Sequence, residues 1–387
     1  MNPAPAHPPI DEHQRRRGLT FLAAAVGFTG VAMALQMALN TNFLVDEIHI
    51  SPTRLGILEA ARESCGIAAF GLLALLAGTA EPLIGAGMLL LLAVGLGSYT
   101  FAHSYMSVLL LSLVWSQGLH IWMPLPASMT LSLAERGRAG HRLGQLNAAG
   151  AVGSGVSLVA AWLLMTWSVP LRYVFLLAGS AALLAAAACL GIPRKIKTPG
   201  PRLVFRRRYG LYYALCLLEG WRKQIFIAFA AFLLVQRHGV RPRDMLVLWM
   251  IVNAISWMAA PRVGRLIDRV GERRILTFYF SCLIWVFVGY AFVPNRYVLY
   301  GLFIMDSAFF VFNTALTTYV NRIAPPEEHT ATLSMGVAMN HVAAVTMPFV
   351  GGLVWAHLGY RWTFLIGAVA AAVAIVVARR LPAHVPG

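Results

Sequence analysis

Long apolar runs alternate with short polar breaks along almost the whole chain. The runs fall near residues 19–44, 53–77, 82–101, 105–133, 143–167, 171–192, 209–235, 245–263, 275–293, 297–319, 333–356 and 362–377. Each approaches or exceeds the roughly 20 helical residues that cross a bilayer core of about 30 Å. The breaks carry turn chemistry: Ser51-Pro52, Glu81-Pro82, Val169-Pro170, Pro294-Asn295 and Pro325-Pro326. The pattern predicts twelve membrane-spanning helices. Within the fourth, Pro124 and Pro126 predict a bend or break, because proline removes a backbone donor and clashes with the preceding turn.

Composition narrows the class further. Charged residues make up 12% of the chain and hydrophobic ones 59%, with a mean hydropathy of +0.69. An ordinary soluble domain carries about 25% charged residues. Too little polar surface remains to solvate a soluble fold of this length. Collagen-like, disordered and disulfide-scaffold classes are excluded by the long apolar runs and the rarity of cysteine. Cys65, Cys189, Cys216 and Cys282 all fall inside apolar runs without metal-ligand spacing, and read as packing thiols. The expected class is an all-α polytopic membrane protein.

The formal net charge of +16 suggests a nucleic-acid partner only until the basic residues are located. Most of the Lys and Arg outside the runs lie in segments on the N-terminal side of the predicted membrane. The positive-inside rule then places both termini in the cytoplasm of a cell's inner membrane, with no nucleic-acid partner. Residues 1–18 are polar and Pro-rich and end in Arg15, Arg16 and Arg17. The apolar run that follows is too long for the core of a signal peptide.

The loop 193–208 is basic and carries Pro193, Pro199 and Pro201. It divides the chain into a cytoplasmic tail (1–18), a six-helix bundle (19–192), the linker (193–208), a second six-helix bundle (209–378) and a tail (379–387). The stretch Leu171-Arg172-Tyr173-Val174-Phe175-Leu176 resembles Tyr360-Arg361-Trp362-Thr363-Phe364-Leu365 at an offset of 189 positions. Repeated halves with a site at their interface are a signature of secondary transporters.

Between the eighth and ninth runs the chain reads Gly264-Arg265-Leu266-Ile267-Asp268-Arg269-Val270-Gly271-Glu272-Arg273-Arg274. This resembles the loop motif of the major facilitator superfamily. Gly359-Tyr360-Arg361-Trp362-Thr363-Phe364 and Pro348-Phe349-Val350-Gly351-Gly352 are also similar to segments of that superfamily. The resemblance implies two bundles rocking about a central cavity lined by spans one, four, seven and ten. It also implies a conformational latch formed by Gly264, Asp268, Arg269, Gly271 and Arg273. The equivalent N-terminal loop, Gly78-Thr79-Ala80-Glu81-Pro82, lacks the Asp-Arg pair. Gly144, Gly150, Gly153 and Gly155 in span five occur without the Gly-Pro pair of the antiporter motif, and read as close helix packing.

Charged side chains at membrane depth are costly and mark functional sites. Glu59, Arg62 and Glu63 share one helical face in span two, and Glu219, Arg222 and Lys223 repeat the spacing in span seven. Asp306 lies in span ten. Four acids against three bases allow mutual pairing as a purely structural reading. The functional reading takes the adjacent cations Arg222 and Lys223 as the seat of an anion, with Arg62 and His120 secondary. Gln36, Asn40, Gln117, Asn313, Asn340 and His341 complete the candidate substrate site by hydrogen bonding. Glu59, Glu63, Glu219 and Asp306 are the candidates for proton coupling.

Two other cargoes remain open. Met33 and Met37, with Met335, Met339 and His341, offer soft ligands that suit copper. Trp115, Trp122, Trp221 and Trp257 could line a cavity for hydrophobic drugs. A membrane enzyme or receptor is disfavoured, since no HExxH, GxSxG, phosphate-binding loop or paired-Cys spacing occurs. The expectation is a monomeric, proton-coupled secondary transporter of a small anionic organic solute. It calls for no cofactor and no bound metal, and its partners are the solute, protons and the lipid bilayer.

Overall fold

The computed structural model describes residues 11–135, 137–198 and 204–382, with Pro326 and Glu327 described by backbone alone. The outer parts of both tails and the middle of the linker lie outside the described residues. Among the described residues fourteen α-helices follow one another: α1 (Glu12–Asn42), α2 (Pro52–Leu75), α3 (Glu81–Gly97), α4 (Tyr105–Trp122), α5 (Leu125–Leu133), α6 (Ala139–Thr166) and α7 (Leu171–Cys189). Then come α8 (Gly210–Gln224), α9 (Pro242–Val270), α10 (Glu272–Phe292), α11 (Arg296–Phe309), α12 (Thr314–Ile323), α13 (Pro326–Leu358) and α14 (Tyr360–Ala378). A π-helical turn, Phe43–Glu47, continues α1, and two more, Ile225–Ala230 and Leu233–Arg237, continue α8.

Local chemistry sets the helix ends. Asp11 accepts the backbone N–H of Gln14 at 2.7 Å to cap α1, and Ser104 with Ser107 forms a reciprocal cap on α4. Asn295 caps α11 by accepting from Tyr297 and Val298. The span-four helix breaks between Trp122 and Leu125, next to the proline pair. Gly271 (φ 85°) and Gly359 (φ 96°) are one-residue junctions between consecutive helices, in a backbone region that L side chains rarely adopt.

The proposed latch loop is mostly helix. α9 runs on to Val270, so Gly264, Asp268 and Arg269 lie in its last turns and Gly271 alone forms the break.

Ten helical stretches among the described residues are long and apolar enough to cross a membrane. α2 and the stretch from Gly210 to Arg237 have the length but not the composition. Their charged residues, Arg54, Glu59, Arg62 and Glu63 in one and Glu219, Arg222, Lys223 and Arg237 in the other, set them apart.

The chain divides into two compact units. One holds Met1–Phe43 and Ala68–Pro201, the other Leu44–Ile67 and Arg202–Gly387. In the first, α1 packs along α6 and α7, and α3 packs along α4 and α7. α1 and α6 touch backbone to backbone: a Cβ on Gly153 would lie 2.1 Å from the Gly27 carbonyl oxygen. Phe43, Tyr99 and Phe175 form an aromatic core with ring centroids 5.1–5.6 Å apart. The Tyr99 hydroxyl bonds Ser112 and accepts from the Trp115 indole N–H at 3.1 Å. The first residues of the linker are tied to this unit, because Glu81 N–H donates to Ile196 O (2.9 Å) and Gly78 N–H to Thr198 O (3.1 Å).

In the second unit α8 packs on α13 and α14, and α10 packs on α14. The aromatic core recurs: Tyr290 meets Phe364 at 4.9 Å, as Tyr99 meets Phe175 at 5.2 Å. The first half of α2 belongs to this unit and lies against α13. A Cβ on Gly56 would stand 2.3 Å from the Pro348 carbonyl oxygen and 3.1 Å from Gly352 Cα, so only glycine permits the approach.

Candidate functional site

The charges of span seven converge inside the second unit. Glu219 and Arg222 lie one turn apart on α8 and therefore share a face. α11 brings Asp306 to the same point, and α10 brings Tyr279. Arg222 Nη2 donates to Glu219 Oε1 at 2.8 Å, and Arg222 Nη1 donates to Asp306 Oδ1 at 3.1 Å. Tyr279 donates its hydroxyl proton to Glu219 Oε2 at 2.7 Å. The guanidinium carbon lies 4.1 Å from the centroid of Phe310 and 5.3 Å from that of Tyr279. Arg222 and Asp306 have no solvent exposure, and Glu219 has 1%.

This geometry shows how Arg222 is held in this structure. The guanidinium expected to receive a solute anion is enclosed by two of the chain's own carboxylates and two aromatic rings. Lys223 differs from its neighbour: it is half-buried, and no described carboxylate lies within ion-pair distance of it. Immediately beyond it the helix leaves α geometry for the π turn Ile225–Ala230, a departure that recurs at functional sites.

A second acid–arginine–acid group sits on the part of α2 that belongs to the same unit. Arg62 Nη2 lies 2.8 Å from Glu59 Oε2 and 3.7 Å from Glu63 Oε1. His341 Nδ1 from α13 lies 3.4 Å from Glu63 Oε2, and its ring fills the space beside Gly66. Asn340 Nδ2 donates to the Cys216 carbonyl at 3.3 Å, so its amide ties α13 to α8 in this structure. Asn313 is exposed in the short 3-10 turn after α11.

In the first unit the polar candidates are amides and an imidazole, with no carboxylate or guanidinium among them. Gln36 and Asn40 are buried on α1, and Gln36 Oε1, Asn40 Oδ1 and Gln117 Nε2 have no hydrogen-bond partner among the described residues. His120 Nδ1 lies 2.8 Å from the Ser116 carbonyl one turn earlier. Met33 and Met37 are on α1 in this unit, whereas Met335 and Met339 are on α13 in the other.

In the expected latch, Asp268 and Arg269 are exposed and make no ion pair among the described residues. The buried acid at this corner is Glu272, the first residue of α10, whose Oε2 lies 2.9 Å from Arg322 Nη2. The same position on α3 holds Glu81, which accepts from Ser128 at 2.6 Å. Sequence reading missed Tyr279, Phe310 and the Glu272–Arg322 pair. An aromatic residue in an apolar run carries no signal of its own, and Glu272 was hidden within a motif whose attention falls on Asp268.

The sequence matches the profile described as Major Facilitator Superfamily over residues 20–334 and again over 245–387. The chain belongs to the major facilitator superfamily. It is thus a multi-pass membrane transporter and not an enzyme. The nucleoside transporter NupG matches with a TM-score of 0.75 and 14% identity, over 93% of this chain and 98% of that one. A bacterial homologue of the human lysosomal transporter Spinster, in an inward-facing and unoccupied conformation, gives 0.75 and 13%, over 96% and 97%. A D-xylose–proton symporter gives 0.72 and 13%, over 94% and 98%. At these identities the likeness is one of fold. No curated protein sequence matches the chain.

Proposed function

We propose that this member of the superfamily is a proton-coupled secondary transporter of a small anionic organic solute in the cytoplasmic membrane. In this reading twelve helices span the membrane, α2 and the stretch from Gly210 to Arg237 included, with both termini in the cytoplasm and a monomer as the working unit.

The observation that carries the coupling is the charge of the buried centre. Glu219, Arg222 and Asp306 together hold two carboxylates and one guanidinium, all at 1% exposure or less. An uncompensated charge in so dry a place costs several kcal/mol. One proton balances it, and such a proton couples to the conformational cycle if the two conformations bind it differently. A symporter of protons and D-xylose shares the fold and lends the reading precedent. The anionic character of the solute rests on Lys223, a half-buried cation with no carboxylate partner among the described residues, on a predicted cavity-lining span.

Uptake into liposomes carrying the purified protein tests both parts. An imposed pH gradient drives accumulation of at least one member of a panel of carboxylates, organic phosphates, sugars and nucleosides. Asp306→Asn loses gradient-driven accumulation but keeps exchange of solute across the membrane. Lys223→Gln raises KM for the anion by about ten- to a hundredfold, since a charge-assisted hydrogen bond contributes about 1.5–3 kcal/mol. Accumulation that ignores the gradient overturns the coupling. Transport only of lipophilic cations or Cu(I) overturns the solute class.

A further inference from the structure

Glu219 and Asp306 share one guanidinium but are held unequally. Each Glu219 oxygen has a donor: Arg222 Nη2 on Oε1 at 2.8 Å, and the Tyr279 hydroxyl on Oε2 at 2.7 Å. Arg222 Nε adds a longer contact of 3.5 Å to Oε2. Among the described residues Asp306 receives Arg222 on Oδ1 alone, and its Oδ2 is buried with no donor. A carboxylate oxygen that accepts strong hydrogen bonds favours the ionised form of its group, while a bare buried oxygen favours a proton.

From this asymmetry we infer that Tyr279 is a positioning residue that decides where the coupled proton resides. It fixes Glu219 as the permanent counter-ion of Arg222 and leaves Asp306 Oδ2 as the atom that gains and loses the proton. The inference rests on the proton-coupled reading above and adds to it the identity of the titrating atom.

The step balances simply. A proton from water forms an O–H bond at Asp306 Oδ2, Arg222 stays protonated, and the formal charge of the centre passes from negative to neutral. Release restores the negative charge. The charged and titratable groups acting on Asp306 are Arg222 and Glu219 from α8, and Tyr279 and Tyr290 from α10. Without the Tyr279 hydroxyl, Glu219 Oε2 retains only the long Arg222 Nε contact, and Glu219 becomes a second resting place for the same proton.

Infrared difference spectra of the purified full-length protein, recorded between acid and alkaline pH, read the proton directly through the carboxyl C=O stretch. Labelling aspartate with heavy carbon at its carboxyl moves aspartate bands and leaves glutamate bands in place. In the unsubstituted protein a label-sensitive band is expected, and Asp306→Asn removes it. Tyr279→Phe is expected to reduce that band and add a label-insensitive component of comparable size, which a merely structural role for the tyrosine would not produce. A band unchanged in Asp306→Asn, or a Tyr279→Phe spectrum identical to that of the parent, overturns the inference. These spectra need no transport, so a predicted spectrum without gradient-driven uptake overturns the coupling reading alone. Thermal unfolding of each variant confirms that the spectra come from folded protein.

Discussion

Gln117 on α4 and Asp306 on α11 stand 189 positions apart, the same offset that relates Arg172 to Arg361 and Phe175 to Phe364. In each unit a tyrosine ring packs at a tilt against a phenylalanine ring, Tyr99 on Phe175 and Tyr290 on Phe364. The two interiors diverge. The first unit holds neutral amides and a Tyr99–Ser112–Trp115 hydrogen-bond chain, whereas the second holds Glu219, Arg222 and Asp306. Aromatic packing recurs in both units, while the buried acid–arginine–acid groups lie in the second. Under the proposed function rigidity and coupling are therefore separable, and substitutions in the two units test that.

The largest effect is expected at the charged centre. Arg222→Met strands two buried acids and costs about 3–5 kcal/mol of stability, read as a lower melting temperature in detergent. A variant as stable as the parent would mean that the acids already carry protons. The two core tyrosines come next. Tyr99→Phe breaks the links to Ser112 and Trp115 and costs about 1–2 kcal/mol. Tyr290→Phe removes a hydroxyl with no partner among the described residues and is expected to be neutral or mildly stabilising. Equal costs at both positions would erase the distinction between the interiors.

Gln117→Leu sharpens the same contrast. Its Nε2 has no partner among the described residues, so stability is expected to change by no more than about 0.5 kcal/mol, against the severe effect at Arg222.

The smallest effect lies outside the spans. Glu135, between α5 and α6, is held by hydrogen bonds from Arg142, which lower its pKa from 4.5 to about 2. A lowered carboxylate pKa adds stability above the ordinary value, and that stability is lost as pH falls from 4.5 towards 2. The pair is solvated, so the loss is small and shrinks with added salt. Melting curves of the parent and of Arg142→Gln should converge over that interval.

Much of the architecture is legible in the sequence because membrane insertion imposes so coarse a rule. Apolar runs of bilayer length give the helices, and prolines 124 and 126 give the break in span four. The near-balance of intramembrane acids and bases indicates that they pair with one another. It does not give the pairing: Arg222 joins Asp306 across 84 positions only once α8 and α11 are packed together. Adjacent cations also look alike in a sequence, yet 100° around a helix leaves Arg222 enclosed and Lys223 half-buried. The Gly264–Arg274 stretch misleads for a related reason. A glycine and charged residues suggest a loop, but Gly264 fits within a helix, and only Gly271 takes positive φ.

The π turns bear on the internal repeat. A π turn is what an α-helix becomes when one residue is inserted without displacing the packed turns on either side. Phe43–Glu47 follows the first helix of the chain, and Leu233–Arg237 follows the first helix after the linker at nearly the repeat offset. One residue inserted at the corresponding point of each half is enough to produce such a pair. The turn Ile225–Ala230 has no π counterpart among the described residues of α1, so the backbone departure beside Lys223 is particular to the second half.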